Sequence, residues 1–361
     1  MRCFRSTHAW RYALVIAVLA LELAATACSG GSSKPIAASP PATPAAPGVS
    51  TIAPRSSAGC SAQAPPAGAE TETIEVGGVS RTYRRFVPSA QNGPVPVVVD
   101  LHGLLETIDI ERAVTQFEAL AQSEGFVVLT PQGLGTPPGW DQTQSRANKD
   151  IPFINAMLDQ VESSVCVDTA RVYAAGISNG GMMSALLACY EPQRFAAVGL
   201  VSGILHPKDC AASRPMPMVV FWGKQDPTLP YCGGVGPGIL ALLRGTPVAS
   251  APPPKCPPDN DLGFPPVEDV VASWAKSDGC GTDPAHASVA QHVDRRTYPG
   301  CSNGASVQFY VIVDGGHAWP GSKVMEAING TAAAALVGHT TNEIDATKLI
   351  WQFFQRYAIA P

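Results

Sequence analysis

Gly176-Ile177-Ser178-Asn179-Gly180 lies between a β-like run, Arg171-Val172-Tyr173-Ala174-Ala175, and a helix-like run over residues 182–190. A serine held between a strand and a helix sits on a sharp turn with strained backbone angles, and only small residues fit two positions to either side of it. Glycine occupies both places, Gly176 and Gly180. Such a turn lifts the Ser178 hydroxyl clear of the sheet, which makes Ser178 the candidate nucleophile. Asn179, the residue after the candidate nucleophile, offers its backbone N–H.

Working outward, the chain alternates between two periodicities. Residues 72–76 and 79–87 are extended runs around Gly77-Gly78, a hairpin signal. Val95-Pro96-Val97-Val98-Val99-Asp100-Leu101 is a continuous apolar run suited to a strand buried on both faces. Residues 111–124 carry Val114, Phe117, Leu120 and Ala121 at helical spacing, stopped by Gly125. Further strands are expected at 126–130, 196–201, 216–222 and 309–313. Further helices are expected around Ile151, Ile154, Leu158 and Val161, and over 342–357. This β-α alternation predicts an α/β fold class, a mainly parallel sheet with helices on both faces. In such sheets the functional loops gather at the carboxyl ends of the strands.

A serine hydroxyl needs a base to take its proton. His317 is the best placed, in Asp314-Gly315-Gly316-His317 directly after the strand at 309–313; His339 stands in reserve. The base needs an acid to fix its tautomer, and Asp226 closes the strand-turn run Val219-Val220-Phe221-Trp222-Gly223-Lys224-Gln225-Asp226, with Pro227 keeping it extended. Asp314 is a rival acid, in the same tight loop as His317. An oxyanion hole takes one N–H from Asn179 and a second from the loop His102-Gly103-Leu104-Leu105. There Leu104 is favoured as donor and Gly103 allows close approach. His102 is expected to brace that loop. Trp140, Trp319 and Tyr231 lie on candidate loops and could line a substrate groove.

The ends and the composition bound the setting. Arg2, Arg5 and Arg11 precede a short apolar run at 13–21, a signal peptide over residues 1–27 rather than a membrane span. Leu23-Ala24-Ala25-Thr26-Ala27-Cys28 resembles a bacterial lipobox, so Cys28 is the expected lipid-modified residue, tethering the protein to the membrane at the cell envelope. Residues 28–59 are rich in Ser, Pro, Ala and Gly and read as a disordered tether, leaving 60–361 as one catalytic domain. The formal net charge of −5 and the lack of a basic run exclude nucleic acid as a partner. Of ten cysteines, Cys60, Cys166, Cys189, Cys210, Cys232, Cys256, Cys280 and Cys301 fall in the domain. In an exported chain an even number reads as disulfides. Locality pairs Cys189 with Cys210, Cys232 with Cys256 and Cys280 with Cys301, leaving Cys60 to close onto Cys166. No C-x-x-C or H-E-x-x-H spacing argues for a metal.

Four separated motifs carry a resemblance. CVDTARVY leading into GISNGGMMS, FWGKQDPTLPY around Asp226, GGHAWPG around His317 and ATKLIWQFF near the end resemble the secreted polyhydroxybutyrate depolymerase and feruloyl esterase family of α/β-hydrolases. The lipobox and proline-rich tether suggest a mycobacterial lipoprotein member. The resemblance implies an α/β-hydrolase fold and a cofactor-free serine esterase with Ser178, Asp226 and His317 as its triad. Its substrate would be a polyester, a feruloylated polysaccharide or a short-chain acyl ester. Residues 231–266, proline-rich and holding Cys232 and Cys256, look longer than the family's usual run and are expected to form a disulfide-clamped insertion. A catalytically inert binding module on the same fold, or a serine peptidase, are the alternatives.

Overall fold

The computed structural model describes residues 52–63, 65–91, 93–210, 212–243, 256, 263–331 and 334–360. The expected signal peptide, Cys28 and most of the tether lie outside these residues, as does part of the expected insertion.

The strands are β1 Gly68–Val76, β2 Val79–Val87, β3 Val95–Leu101, β4 Val127–Pro131, β5 Val167–Ile177, β6 Ala197–Val201, β7 Met218–Gly223, β8 Ala285–Ala290, β9 Val293–Thr297 and β10 Val307–Ile312. They form one sheet in the order β1-β2-β4-β3-β5-β6-β7-β10-β9-β8. From β4 to β10 every pairing is parallel, while β1, β2, β8 and β9 extend the edges antiparallel. The helices are α1 Ile108–Thr115, α2 Phe117–Glu124, α3 Ile151–Ser164, α4 Asn179–Tyr190, α5 Pro237–Leu243, α6 Val267–Ser277, α7 Lys323–Glu326, α8 Ala334–Val337 and α9 Ala346–Phe354.

Period-two alternation along β3 divides the core between the two faces. Val97, Val99 and Leu101 pack with Met157 and Leu158 of α3, Leu186 of α4 and Trp274 of α6. Val98 packs on the other face with Phe117 of α2, Tyr173, and Trp351 and Phe354 of α9. Every residue of α4 is buried, as a helix apolar on all sides requires. The four disulfides are the pairs that locality selects: Cys60–Cys166, Cys189–Cys210, Cys232–Cys256 and Cys280–Cys301.

Three differences from the sequence reading have local causes. The helix expected over 111–124 is two helices broken at Gln116, which is left-handed at φ 54°. The break frees the Thr115 carbonyl, which accepts from Thr347 Oγ1, while the Thr115 hydroxyl donates to Asp100. The hairpin β8–β9 is not marked in the sequence, because β8, Ala285-His286-Ala287-Ser288-Val289-Ala290, carries mostly small residues and is exposed along most of its length, so no buried face shows as alternation.

The third difference is that the tether ends earlier than residue 59. Ser56 bridges Asp168, Thr169 N–H donates to Arg55, the Ser57 hydroxyl donates to Val165, and a 3₁₀ turn at Ala58–Ser61 leads into the Cys60 disulfide. Residues 52–59 therefore belong to the folded domain, because β5 begins with polar groups that this segment satisfies.

Candidate active site

Ser178 sits between β5 and α4 at φ 54° and ψ −119°. A non-glycine residue there costs about 1–3 kcal/mol and persists only when its surroundings fix it. They do: Ser178 N–H donates to Val201 O at 2.8 Å, and Ser178 O accepts from Met182 N–H at 2.9 Å. The glycines answer to close backbone approaches. A Cβ on Gly180 would lie 1.8 Å from Leu101 O, one on Gly176 2.6 Å from the same atom, and one on Gly203 1.9 Å from Ser178 O.

Asp226 follows β7 and is fully buried. Its Oδ1 accepts the N–H groups of Thr228 and Leu229, each at 2.8 Å, and its Oδ2 lies 2.8 Å from His317 Nδ1. Since a carboxylate only accepts, Nδ1 carries the proton and Nε2 is left as the basic nitrogen. The loop holding His317 is tied by its backbone: Gly316 N–H donates to His339 O, His317 N–H to Val337 O, and Gln225 N–H to Gly315 O. Asp314 turns away from this pair, lying 3.8 Å from His292 and 3.8 Å from His339. His339 supports the loop through its carbonyl rather than standing in as a base. The loops bearing Ser178, Asp226 and His317 follow β5, β7 and β10, which share one parallel direction, so all three open at the carboxyl edge of the sheet. The Ser178 hydroxyl makes no hydrogen bond to His317 among the described residues, a looseness common in ligand-free hydrolase sites.

The loop after β3 is braced from several sides. His102 Nδ1 lies 2.7 Å from Gly103 O, and Nε2 accepts from Gly133 N–H at 2.9 Å, so the neutral Nδ1–H tautomer is present. Burial pushes the ring's pKa down to about 4, against weaker contributions from the Gly103 hydrogen bond and Asp150 that raise it. Trp140 Nε1 donates to His102 O at 2.8 Å. Further along, Leu105 N–H donates to Pro138 O, Glu106 N–H to Gly103 O, and Gly103 N–H to Glu106 Oε2. The Leu104 N–H has no partner among the described residues, so elimination leaves it free for an incoming oxygen. The sequence reading placed Gly103 in the oxyanion hole as well. Its N–H is taken by Glu106, and its missing side chain makes room for that carboxylate, whose Oε2 lies 2.9 Å from where a Cβ would stand.

Asn179 contributes more than its N–H. Its side-chain Oδ1 accepts from Trp140 N–H at 2.6 Å and its Nδ2 donates to Trp140 O at 3.3 Å, pinning the 139–140 loop to the elbow. No sequence spacing signals this pairing, because it joins loops 39 residues apart. Neither did any signal mark Glu106.

The three expected groove residues fare differently. Trp319 is 1% exposed, packs edge-on against Phe117 and donates Nε1–H to Thr347, so it is core rather than groove. The loop folds back beneath α9, burying a side chain that its glycine-rich setting made look exposed. Trp140 is buried behind the oxyanion loop and braces it. Tyr231 stacks on Phe309 and donates to Glu268, lying over β10. The residues exposed beside the elbow are instead Leu104 and, across the Leu134–Gly139 bridge, Leu134.

A mainly parallel sheet with a strained serine elbow after β5 and a buried His–Asp pair after the later strands defines an α/β-hydrolase of the serine-hydrolase kind. Residues 82–230 match the family model described as Esterase PHB depolymerase. Over that stretch the chain is similar to this family, and it is a carboxylic ester hydrolase. Among relatives, it is 28% identical over 325 residues to a protein of Nocardia uniformis subsp. tsuyamanensis named "Putative esterase NocK", covering 84% of this chain and 88% of that one. It is 26% identical over 231 residues to Feruloyl esterase B of Piromyces equi, covering 62% of this chain and 39% of that one. It is 40% identical over 118 residues to Feruloyl esterase C of Emericella nidulans, 33% of this chain and 42% of that one. The chain thus spans less than half the length of either feruloyl esterase. The acetyl xylan esterase structure from Aspergillus awamori shares the fold, with a TM-score of 0.50 at 16% identity over 72% of this chain and 99% of that one.

Proposed function

We propose that this protein is an extracytoplasmic serine esterase that works through Ser178, His317 and Asp226. Ser178 attacks the ester carbonyl while His317 Nε2 takes its proton, Asp226 holds the imidazole by Nδ1, and the N–H groups of Asn179 and Leu104 receive the oxyanion. His317 then protonates the departing alcohol, and the same nitrogen activates water to free the acyl group from Ser178. The observation that carries this reading is the buried 2.8 Å His317–Asp226 pair opening at the same sheet edge as the serine elbow.

The names of the relatives put a feruloylated polysaccharide first among substrates, with a polyester and short-chain acyl esters behind it. Four disulfides and the lipobox at Cys28 support a location outside the cytoplasm, on a lipid anchor. The test is hydrolysis of p-nitrophenyl butyrate and methyl ferulate by the domain from residue 52 onwards, beside Ser178→Ala. Loss of about 10⁴-fold or more in kcat is expected; undiminished turnover in Ser178→Ala would overturn the assignment. A fluorophosphonate probe should label Ser178, and an inert binding module would stay unlabelled. Peptidase activity would appear as faster turnover of amides than of the matching esters. Cys28→Ser should release the protein from the membrane fraction; retention would refute the anchor.

A further inference from the structure

Behind the oxyanion loop three carboxyls meet: Asp100 near the end of β3, Glu106 in the loop and Glu111 in α1. Asp100 and Glu111 are fully buried. The Thr115 hydroxyl donates to Asp100 at 2.7 Å and Gly103 N–H to Glu106 at 2.7 Å. Both oxygens of Glu111 and the second oxygen of Asp100 have no donor from another group. Three charges cannot be held in such a place without a cation. Burial lifts Asp100 to about 7 and Glu111 well above the usual carboxylate range, and for Glu111 the neighbouring carboxylates add to the effect. Both effects favour the neutral form of Glu111. Burial raises Glu106 too, with the Gly103 N–H acting against it. The charged or titratable groups facing Glu106 are thus Asp100 from β3, Glu111 from α1 and His317 from the loop after β10. Glu118 of α2 acts on Asp100, and Asp226 faces His317 from the other side.

We propose that Glu106 is a positioning residue for ester hydrolysis: its carboxyl oxygen clamps Gly103 so that Leu104 N–H remains as the donor for the oxyanion. The clamp is reciprocal, since Glu106 N–H donates back to Gly103 O at 3.3 Å and closes the loop into a turn. Glycine at 103 is what lets the carboxylate reach in. The proposal rests on the serine-esterase reading.

The experiment compares Glu106→Ala and Glu106→Gln with the unmodified domain. It measures kcat and KM for p-nitrophenyl butyrate from pH 4 to 9, thermal melting and fluorophosphonate labelling. In Glu106→Ala the clamp is lost, and kcat should fall about tenfold or more with KM little changed. Glu106→Gln keeps an oxygen for the Gly103 N–H and should recover most of that loss. A kcat within twofold of the unmodified domain in Glu106→Ala, or a kcat in Glu106→Gln no better than in Glu106→Ala, would overturn the proposal. If Glu106→Ala fails to fold, Glu106→Met, which fills the space without an acceptor for the Gly103 N–H, replaces it with the same expected loss and the same overturning result. Failure of the esterase reading is separable, because then the unmodified domain itself would not label at Ser178.

Discussion

The two sides of the candidate site solve the same problem, holding a polar group at the end of a strand, in opposite ways. On the acid–base side Asp226 has three donors for its two oxygens, and backbone bonds tie the His317 loop to its neighbours. On the oxyanion side the side chains of His102, Trp140 and Glu106 join the backbone in holding the loop, and among the described residues Asp100, Glu106 and Glu111 share two donors from outside the trio, Thr115 and Gly103. A carboxylate with a full set of donors stays charged without help. A crowded set of carboxyls keeps protons, and its geometry then depends on pH. The contrast separates a side that provides chemistry from a side whose shape is adjustable.

The acid–base side can be broken most sharply by Asp226→Asn. The amide can no longer stabilise the imidazolium and can stabilise the wrong His317 tautomer, so kcat should drop about 10⁴-fold with KM nearly unchanged. A loss of only a few-fold, measured by steady-state kinetics, would mean that another acid serves His317. Next in size is Asn179→Ala, which keeps the backbone N–H but cuts both bonds to Trp140; kcat should fall about tenfold while fluorophosphonate labelling survives. Unchanged kinetics would show that the 139–140 loop needs no such tie.

The smallest effect sharpens the comparison from the other side. Because burial raises Glu111 and Asp100, the folded state binds protons that the unfolded chain, with carboxyls near 4, has released. Their contribution to stability is present below about pH 4 and is lost as pH rises through the raised folded value, about 7 for Asp100. Glu111→Gln removes part of that penalty, so its melting temperature should exceed that of the unmodified domain by on the order of a few degrees at pH 8, with the gap closing at pH 4.5. A gap that does not change with pH would show that the trio does not titrate in this range.

Much of this was legible because the sequence marks backbone crowding with glycine. Gly176 and Gly180 are small because Leu101 O and the elbow itself leave no space, and a strand before and a helix after reveal why. Asp226 and His317 were readable from their positions just past apolar strands. Glu106 was not, because an acidic residue ahead of a helix reads as helix-start chemistry, next to the Thr107 cap. Its contact runs to a backbone N–H three residues back. Trp319 misled for the converse reason: glycines around it indicate a loop, but not which way the loop folds.

The fastening of residues 52–60 to the start of β5 has a directional consequence. Both described ends of the chain gather there, since Ile359 N–H donates to Ala170 O and Arg55 reaches the Ile359 carbonyl. The serine elbow lies at the other end of the same strand, eleven residues away, or about 35 Å along it. A load applied through the segment before residue 52 would be carried by the foot of β5 and its disulfide. The mouth of the site opens at the end of β5 opposite the one where both described ends are fastened.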